Sequence, residues 1–225
     1  MKVIAFSLWG DDPKYTLGAI QNASLAKIVY PGWTCRYYVG QSTPEHIIDL
    51  LKEFDNVEIV MMVADGDWTG MFWRFEAASD PNIDVLLVRD CDSRLWFREK
   101  AAVDEWLASD KVFHIMRDHE FHTAAIMGGM WGVKGDFLRN MSHWVSTYKG
   151  GNYWQTDQQF LKIVVYPLIK EKAYTHDTKP NTNPFSGERD ENHFVGQSYA
   201  GSGRVLHLDD VYFQDYMRDT YANLL

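Results

Sequence analysis

The chain has 225 residues, 46% hydrophobic and 24% charged, enough to build a core without disulfides or structural metal and too apolar for disorder. Lys plus Arg (22) against Asp plus Glu (31) leaves a net charge of −9, which argues against a protein built to grip nucleic acid or an anionic membrane. Cys35 and Cys91 are the only cysteines, too few for a disulfide framework or a thiolate zinc site, and they predict a reducing, cytoplasmic setting. No apolar run approaches the 18 or so residues that a membrane span needs, and the N-terminal segment reads as a strand rather than a leader. Of nine tryptophans most are expected in the core, but a surplus also suits a protein that handles flat apolar faces such as sugar rings or bases.

Val3–Leu8 is a continuous apolar run that stops at Gly10-Asp11-Asp12-Pro13, the pattern of a buried strand with a loop at its C-terminal end. Helical spacing follows over Leu17–Tyr30, then a strand over Trp33–Val39. Thr43-Pro44-Glu45 predicts a helix start capped by Thr43, and Val57–Val63 a third strand. Strand and helix alternating in this way predict a parallel α/β sheet. Met71–Ser79 reads as helix, Val85–Val88 as a fourth buried strand, residues 99–108 as helix and Val112–Met116 as a short strand. Gly128-Gly129-Met130-Trp131-Gly132 reads as a small-residue loop, and residues 136–148 and Asp157–Val165 as helices. Residues 177–203 are turn-rich and polar, too long for a plain connection, and predict a mobile lid. A last strand over Val205–Leu208 and a closing helix complete one domain spanning residues 1–225.

The most informative stretch is Val85-Leu86-Leu87-Val88-Arg89-Asp90-Cys91-Asp92-Ser93-Arg94. Two carboxylates spaced i, i+2 at the end of a buried strand can reach one divalent cation together, and that cation can bridge the phosphates of a nucleotide. The alternative is a solvated strand end with Arg89 and Arg94 as counterions. A second pair, Asp65-Gly66-Asp67, reads as loop chemistry.

The stretch resembles the Asp-x-Asp motif of nucleotide-sugar glycosyltransferases of the GT-A fold. Arg74, in Trp73-Arg74-Phe75, stands sixteen residues before Asp90, about where glycogenin-like transferases carry a basic donor contact. Thr156-Asp157-Gln158-Gln159-Phe160-Leu161 is similar to their Asp-Gln-Asp-x-Leu-Asn segment, with Gln159 and Lys162 as departures. Asn192-His193-Phe194-Val195-Gly196 matches a His-Phe-x-Gly spacing whose histidine completes the metal site, although the Lys-Pro-Trp that should follow is absent. Trp-Arg-Phe, Arg-Asp-x-Asp-Ser-Arg, Met-Arg-Asp-His and Gly-Gly-Met-Trp-Gly together also resemble a set of viral and bacterial glycosyltransferases.

The resemblance implies a Rossmann-like, mixed but mostly parallel sheet flanked by helices. It implies transfer of a sugar from a nucleoside-diphosphate sugar, a UDP-sugar favoured, to a glycan or other hydroxyl acceptor. Asp90 and Asp92 would hold Mn²⁺ or Mg²⁺, with His193 as third ligand and His207 as its rival. Phe6, Ser7, Leu8, Arg74 and Gln158 would contact the donor.

Read from the residues alone, other roles stay open. Arg74 is either a phosphate-binding fork or a structural ion pair. Asp157 is either a helix cap or the group that contacts the transferred sugar or deprotonates the acceptor. Asp118 is a second catalytic candidate, and with His119 it offers sugar-hydroxyl contacts; a zinc site on His119 and His122 lacks supporting ligands. Gly129 suggests close backbone approach to a ligand, and Trp131 is either core or a sugar platform. Competing functions are an Asp-x-Asp phosphatase, disfavoured by Arg94 where Thr or Val is wanted, and a sugar-binding module without catalysis.

Overall fold

The computed structural model describes residues 1–179, 182–186, 189 and 193–202. The expected strand over Val205–Leu208, the closing helix and His207 therefore lie outside the described residues. The chain opens β1 (Lys2–Leu8), α1 (Pro13–Val29), β2 (Thr34–Val39), α2 (Glu45–Lys52) and β3 (Val57–Met61). A 3₁₀ helix, Trp68–Ser79, leads to β4 (Val85–Val88), α3 (Phe97–Ala108) and β5 (Phe113–Arg117). Next come β6 (Trp131–Lys134), α4 (Met141–Thr147) and α5 (Thr156–Phe160). A π-helical turn over Leu161–Val165 joins α5 to α6 (Tyr166–Ile169), and β7 (Ala173–Asp177) follows.

The seven strands form one sheet in the order β3-β2-β1-β4-β6-β5-β7. Only β6 is antiparallel to its neighbours, pairing with β4 and β5; the other pairings are parallel. The chain winds outward from β1 to β2 and β3, then crosses back to place β4 on the other side of β1. That reversal opens a crevice beyond the carboxyl ends of β1 and β4, the usual ligand position in open α/β sheets.

The period-2 alternation of β1 assigns its side chains to two cores. Ile4, Phe6 and Leu8 pack with α1, α2 and α3 on one face. Val3 and Ala5 pack on the other, beneath Phe72 and Phe75 of the 3₁₀ helix and Phe160 of α5. Ser7 continues the second face, so its hydroxyl meets the 3₁₀ helix and accepts from Arg74 N at 3.0 Å.

Several boundaries differ from the sequence reading. α1 begins a turn before Leu17, because the Asp12 carboxylate accepts from Lys14 N at 2.8 Å and Pro13 suits the first helical turn. Thr43 does not cap α2; its hydroxyl donates to the Leu8 carbonyl at 3.4 Å. The expected Gly-rich loop ends at Met130, since Trp131 and Gly132 already belong to β6. The helix expected over 136–148 is regular only in α4, and the helix expected to end at Val165 runs on through Pro167 to Ile169. β7 has no counterpart in the sequence reading. Asp67 caps the 3₁₀ helix through Thr69 N at 2.7 Å, the loop role expected of Asp65-Gly66-Asp67. No helix among the described residues is long and apolar enough to cross a membrane.

Candidate active site

A cavity of about 580 Å³ fills the crevice at the β1/β4 reversal. Strand ends line it: Ser7 is the penultimate residue of β1, and Asp90 and Asp92 follow the end of β4. Alternation beyond β4 sends Arg89 and Asp90 to opposite faces. Arg89 enters the α1/α3 core, where its Nε donates to Glu99 at 2.8 Å and Tyr30 donates to the same carboxylate oxygen at 2.8 Å. Arg89 is thus not a counterion for the aspartates. Arg94 feels the charge of Asp92 but makes its hydrogen bonds elsewhere: its Nε donates to Gln21 at 2.6 Å and its Nη1 to the Cys91 and Ser93 carbonyls.

The actual counterions are Arg74 and Lys14. One Arg74 terminal nitrogen bonds Asp90 and the Arg89 carbonyl; the other donates to Asp157 Oδ2 at 3.0 Å. The Arg74 and Asp157 side chains are 5% and 3% exposed, whereas Asp90 is 40% exposed and faces the cavity. Gly128 and Gly129 make room for this cluster. A Cβ on Gly128 would stand 2.3 Å from Asp157 Oδ2, and one on Gly129 2.0 Å from Asp90 Oδ2. Burial raises the Asp157 carboxyl, opposed by Arg74 and reinforced by Asp90, with a net upward shift.

Asp92 is held differently. Its Oδ2 lies 2.9 Å from Lys14 Nζ and accepts from the Ser198 hydroxyl at 3.0 Å, and its carbonyl accepts from Tyr199 N at 2.8 Å. Burial acts to raise this carboxyl, but the Lys14 ammonium and the Ser198 hydroxyl outweigh it, and the net shift is downward. Lys14 and Ser198 are site residues that the sequence reading missed. Lys14 could have been found, since it sits in the first turn after the Gly10–Pro13 loop at the end of β1. Ser198 could not, because nothing local distinguishes it.

The cavity is also lined by Gln158, Gly129, Trp9, Trp68, Trp154 and His122. Burial, with His119 beside it, lowers the His122 imidazole to about 4, so it is neutral at pH 7.

Other expected site residues lie elsewhere. Phe6 stacks on Tyr37 at 4.8 Å in the α1-side core, and Leu8 is buried on the same face, so neither side chain lines the cavity. Trp131 is core, its ring 5.5 Å from Phe113 and 5.3 Å from Phe75, and offers no exposed sugar platform. Asp118 is buried, with both oxygens bonded to Arg98 at 2.9 and 3.0 Å and Oδ2 also accepting from Val195 N at 3.0 Å. It anchors the C-terminal segment rather than facing the cavity. His119 packs on Phe194 at 4.3 Å outside the cavity lining. His193 lies 6.3 Å from the Trp96 ring, and among the described residues no three His, Cys, Asp or Glu side chains converge as a metal site. The structure thus does not bring His193 to Asp90 and Asp92.

The mixed, mostly parallel sheet with a carboxylate-lined crevice at its strand reversal defines an open α/β fold of Rossmann-like type. Solved structures narrow it to the GT-A glycosyltransferase fold. A glycosyltransferase involved in glycosylation of the major capsid of PBCV-1 superposes with a TM-score of 0.53 at 15% identity, over 78% of this chain and 80% of that one. The galactosyltransferase LgtC, in complex with donor and acceptor sugar analogs, gives 0.52 at 14% identity, over 78% and 73%. The mannosyltransferase PcManGT from Pyrobaculum calidifontis, in complex with GDP-Man and Mn²⁺, gives 0.53 at 10% identity, over 84% and 58%. No family model matches this chain, and no curated protein matches it.

Proposed function

We propose that the chain is a metal-dependent glycosyltransferase that moves a sugar from a nucleoside-diphosphate sugar, a UDP-sugar favoured, to a hydroxyl of a glycan or glycoconjugate. The observation that carries this reading is the convergence of Asp90, Asp92, Arg74 and Asp157 on one cavity at the β1/β4 reversal.

The charge of the cavity supports the metal. Asp11, Asp12, Asp90, Asp92 and Asp157 against Lys14 and Arg74 give 2 − 5 = −3, a poor host for a diphosphate unless a cation accompanies it. Asp90 and Asp92 are hard oxygen donors on one strand end, the ligand type that Mn²⁺ or Mg²⁺ takes, with water and phosphate filling the remaining positions. Such an ion, when bound, supplies charge stabilisation to the departing nucleotide. Arg74 fixes Asp90 and Asp157 in one frame, so the metal-facing carboxylate and the catalytic candidate keep a constant separation. Asp157, buried and raised, is placed to contact the transferred sugar or to take the proton of the acceptor hydroxyl. Trp154 and Phe121, 45% and 52% exposed at the cavity rim, offer faces to an acceptor sugar ring. In this reading the described residues 193–202 belong to the lid, and Phe194, Gly196 and Ser198 line the cavity.

The test is incubation with UDP- and GDP-sugars in Mn²⁺ or in EDTA, without acceptor. Slow release of nucleoside diphosphate in Mn²⁺ alone is expected. A protein that binds glycans but no nucleotide under any condition is instead a sugar-binding module, and one that hydrolyses simple phosphate esters is a phosphatase.

A further inference from the structure

The cavity contains a lysine whose position calls for a role. Lys14 is 5% exposed although its side chain carries a full charge, and its ammonium sits 2.9 Å from the carboxylate assigned to the metal. A buried ammonium is costly and is kept where a partner or a ligand uses it.

Other sources of positive charge in the cavity are already committed. The first-turn amides of α1 are spent on Asp12: Lys14 N donates to its carboxylate at 2.8 Å, and Tyr15 N and Thr16 N donate to its carbonyl at 3.0 Å each. Arg74 divides its terminal nitrogens between Asp90 and Asp157, so its charge is already shared between two carboxylates. Lys14 has a flexible four-carbon stem and a compact charge, and it shares Asp92 Oδ2 with the Ser198 hydroxyl, which can hold that oxygen alone. With a divalent cation held by Asp92, the Lys14 ammonium on the same oxygen would be repelled, and a donor diphosphate in the cavity would offer it another anion.

We propose that Lys14 is a phosphate-binding residue of the donor site, paired with Asp92 as the chain folds and transferred to the donor diphosphate when a divalent cation takes that carboxylate. The inference rests on the transferase reading above. It assigns to α1 a function that the helix terminus itself does not supply.

Calorimetry on the full chain separates the outcomes, with Mn²⁺ alone, uridine, and UDP plus Mn²⁺ as probes and GDP plus Mn²⁺ as the alternate base. Lys14→Gln is expected to weaken nucleoside-diphosphate binding in Mn²⁺ at least tenfold, to leave uridine unchanged, and to bind Mn²⁺ alone as well as or better than wild type. Lys14→Arg should recover part of the loss. Thermal unfolding checks that each variant folds, and Lys14→Met serves if Lys14→Gln does not. Diphosphate affinity within twofold of wild type overturns the proposal, as does equal loss of Mn²⁺ alone and diphosphate, which marks Lys14 as purely structural. A wild-type chain that binds neither diphosphate overturns the transferase reading, and this inference with it.

Discussion

On one side of the cavity, Arg74 binds Asp90 and Asp157 from within the 3₁₀ helix, its fork almost wholly buried and its backbone amide fixed on Ser7. On the other side, Asp92 is met by a flexible lysine from α1 and by Ser198 of the C-terminal segment. The first side behaves as a frame, because a planar guanidinium between two carboxylates leaves few alternative geometries. The second is the exchange point of the proposal above, because Asp92 is held by a long unbranched side chain and a single hydroxyl rather than by a planar fork. A donor site of the kind proposed would use both properties, and here they fall on carboxylates two residues apart.

Removing the frame should have the largest effect. Arg74→Ala leaves Asp157 buried without its cation, and breaking a buried pair in this way costs ~3–5 kcal/mol. A large fall in melting temperature and loss of all transfer are expected, and Arg74→Lys should not restore activity because one ammonium cannot serve two carboxylates. A melting temperature within a degree or two of wild type would show that the cluster is not a frame.

Asp157→Asn keeps the shape and changes the chemistry. If the carboxylate takes the acceptor proton, turnover falls by ~10²–10⁴. Since burial raises this carboxyl, the wild-type acid limb should lie above the usual carboxylate range, and the variant should lack it. The stability sign is fixed by the same shift. An acid with a raised native pKa contributes stability that is present below its unfolded value and lost as pH rises through the native one. The variant should therefore gain on wild type in melting temperature across that window. A pH–rate profile shared by both proteins would remove Asp157 from the proton transfer.

Asp92→Asn on the exchange side and Asp90→Asn on the frame each remove a charged ligand of a hard cation, which should cost ~2 kcal/mol or more, over tenfold in Mn²⁺-dependent UDP affinity. Both should fold, with smaller melting shifts than Arg74→Ala. Undiminished UDP binding in both variants would remove the metal assignment.

The elements that the sequence made legible are those with strong local patterns. β1 and β4 are uninterrupted apolar runs, and the Asp90/Asp92 pair follows directly from where β4 ends. What escaped depends on tertiary pairing. β6 is four residues with a glycine inside, and β7 is polar, so β6 owes its strand form to β4 and β5 on either side and β7 to β5. The placement of Phe6 and Leu8 was readable in principle: alternation from Ser7 puts them on the opposite face. Trp131 could not be placed without knowing that it enters β6. Asp118, crowded among histidines and an arginine, drew attention for its chemistry, whereas its partner Arg98 lies twenty residues back on α3. The turn-rich stretch after residue 177 read as poorly anchored, yet Phe185, Phe194 and Val195 are buried.

A smaller effect should come from the floor on which the frame rests. Gly129→Ala places a methyl 2.0 Å from Asp90 Oδ2 and 2.9 Å from Asp90 N, so both side chain and backbone must shift. Overpacking of this kind costs ~1–3 kcal/mol. Donor affinity should drop along with stability, whereas a variant that folds and binds as wild type would show that Asp90 has room to move.

The smallest change tests whether the exchange side is joined to the lid. Ser198→Ala removes the hydroxyl that donates to Asp92 Oδ2 but leaves the backbone bond from Tyr199 N to the Asp92 carbonyl, so the segment loses one of two ties to this residue. A hydrogen bond to a charged group is worth ~1.5–3 kcal/mol, and the Lys14 ammonium remains to compensate the oxygen, which places the net cost near the lower end. Global melting should hardly change, because Val195 N still binds Asp118. Limited proteolysis within residues 193–202 should quicken several-fold in the variant, and Mn²⁺ with UDP should protect wild type more than Ser198→Ala. Equal cleavage of both proteins, with and without donor, would mean that Asp92 does not sense the segment and that the lid, if it closes, closes by other contacts.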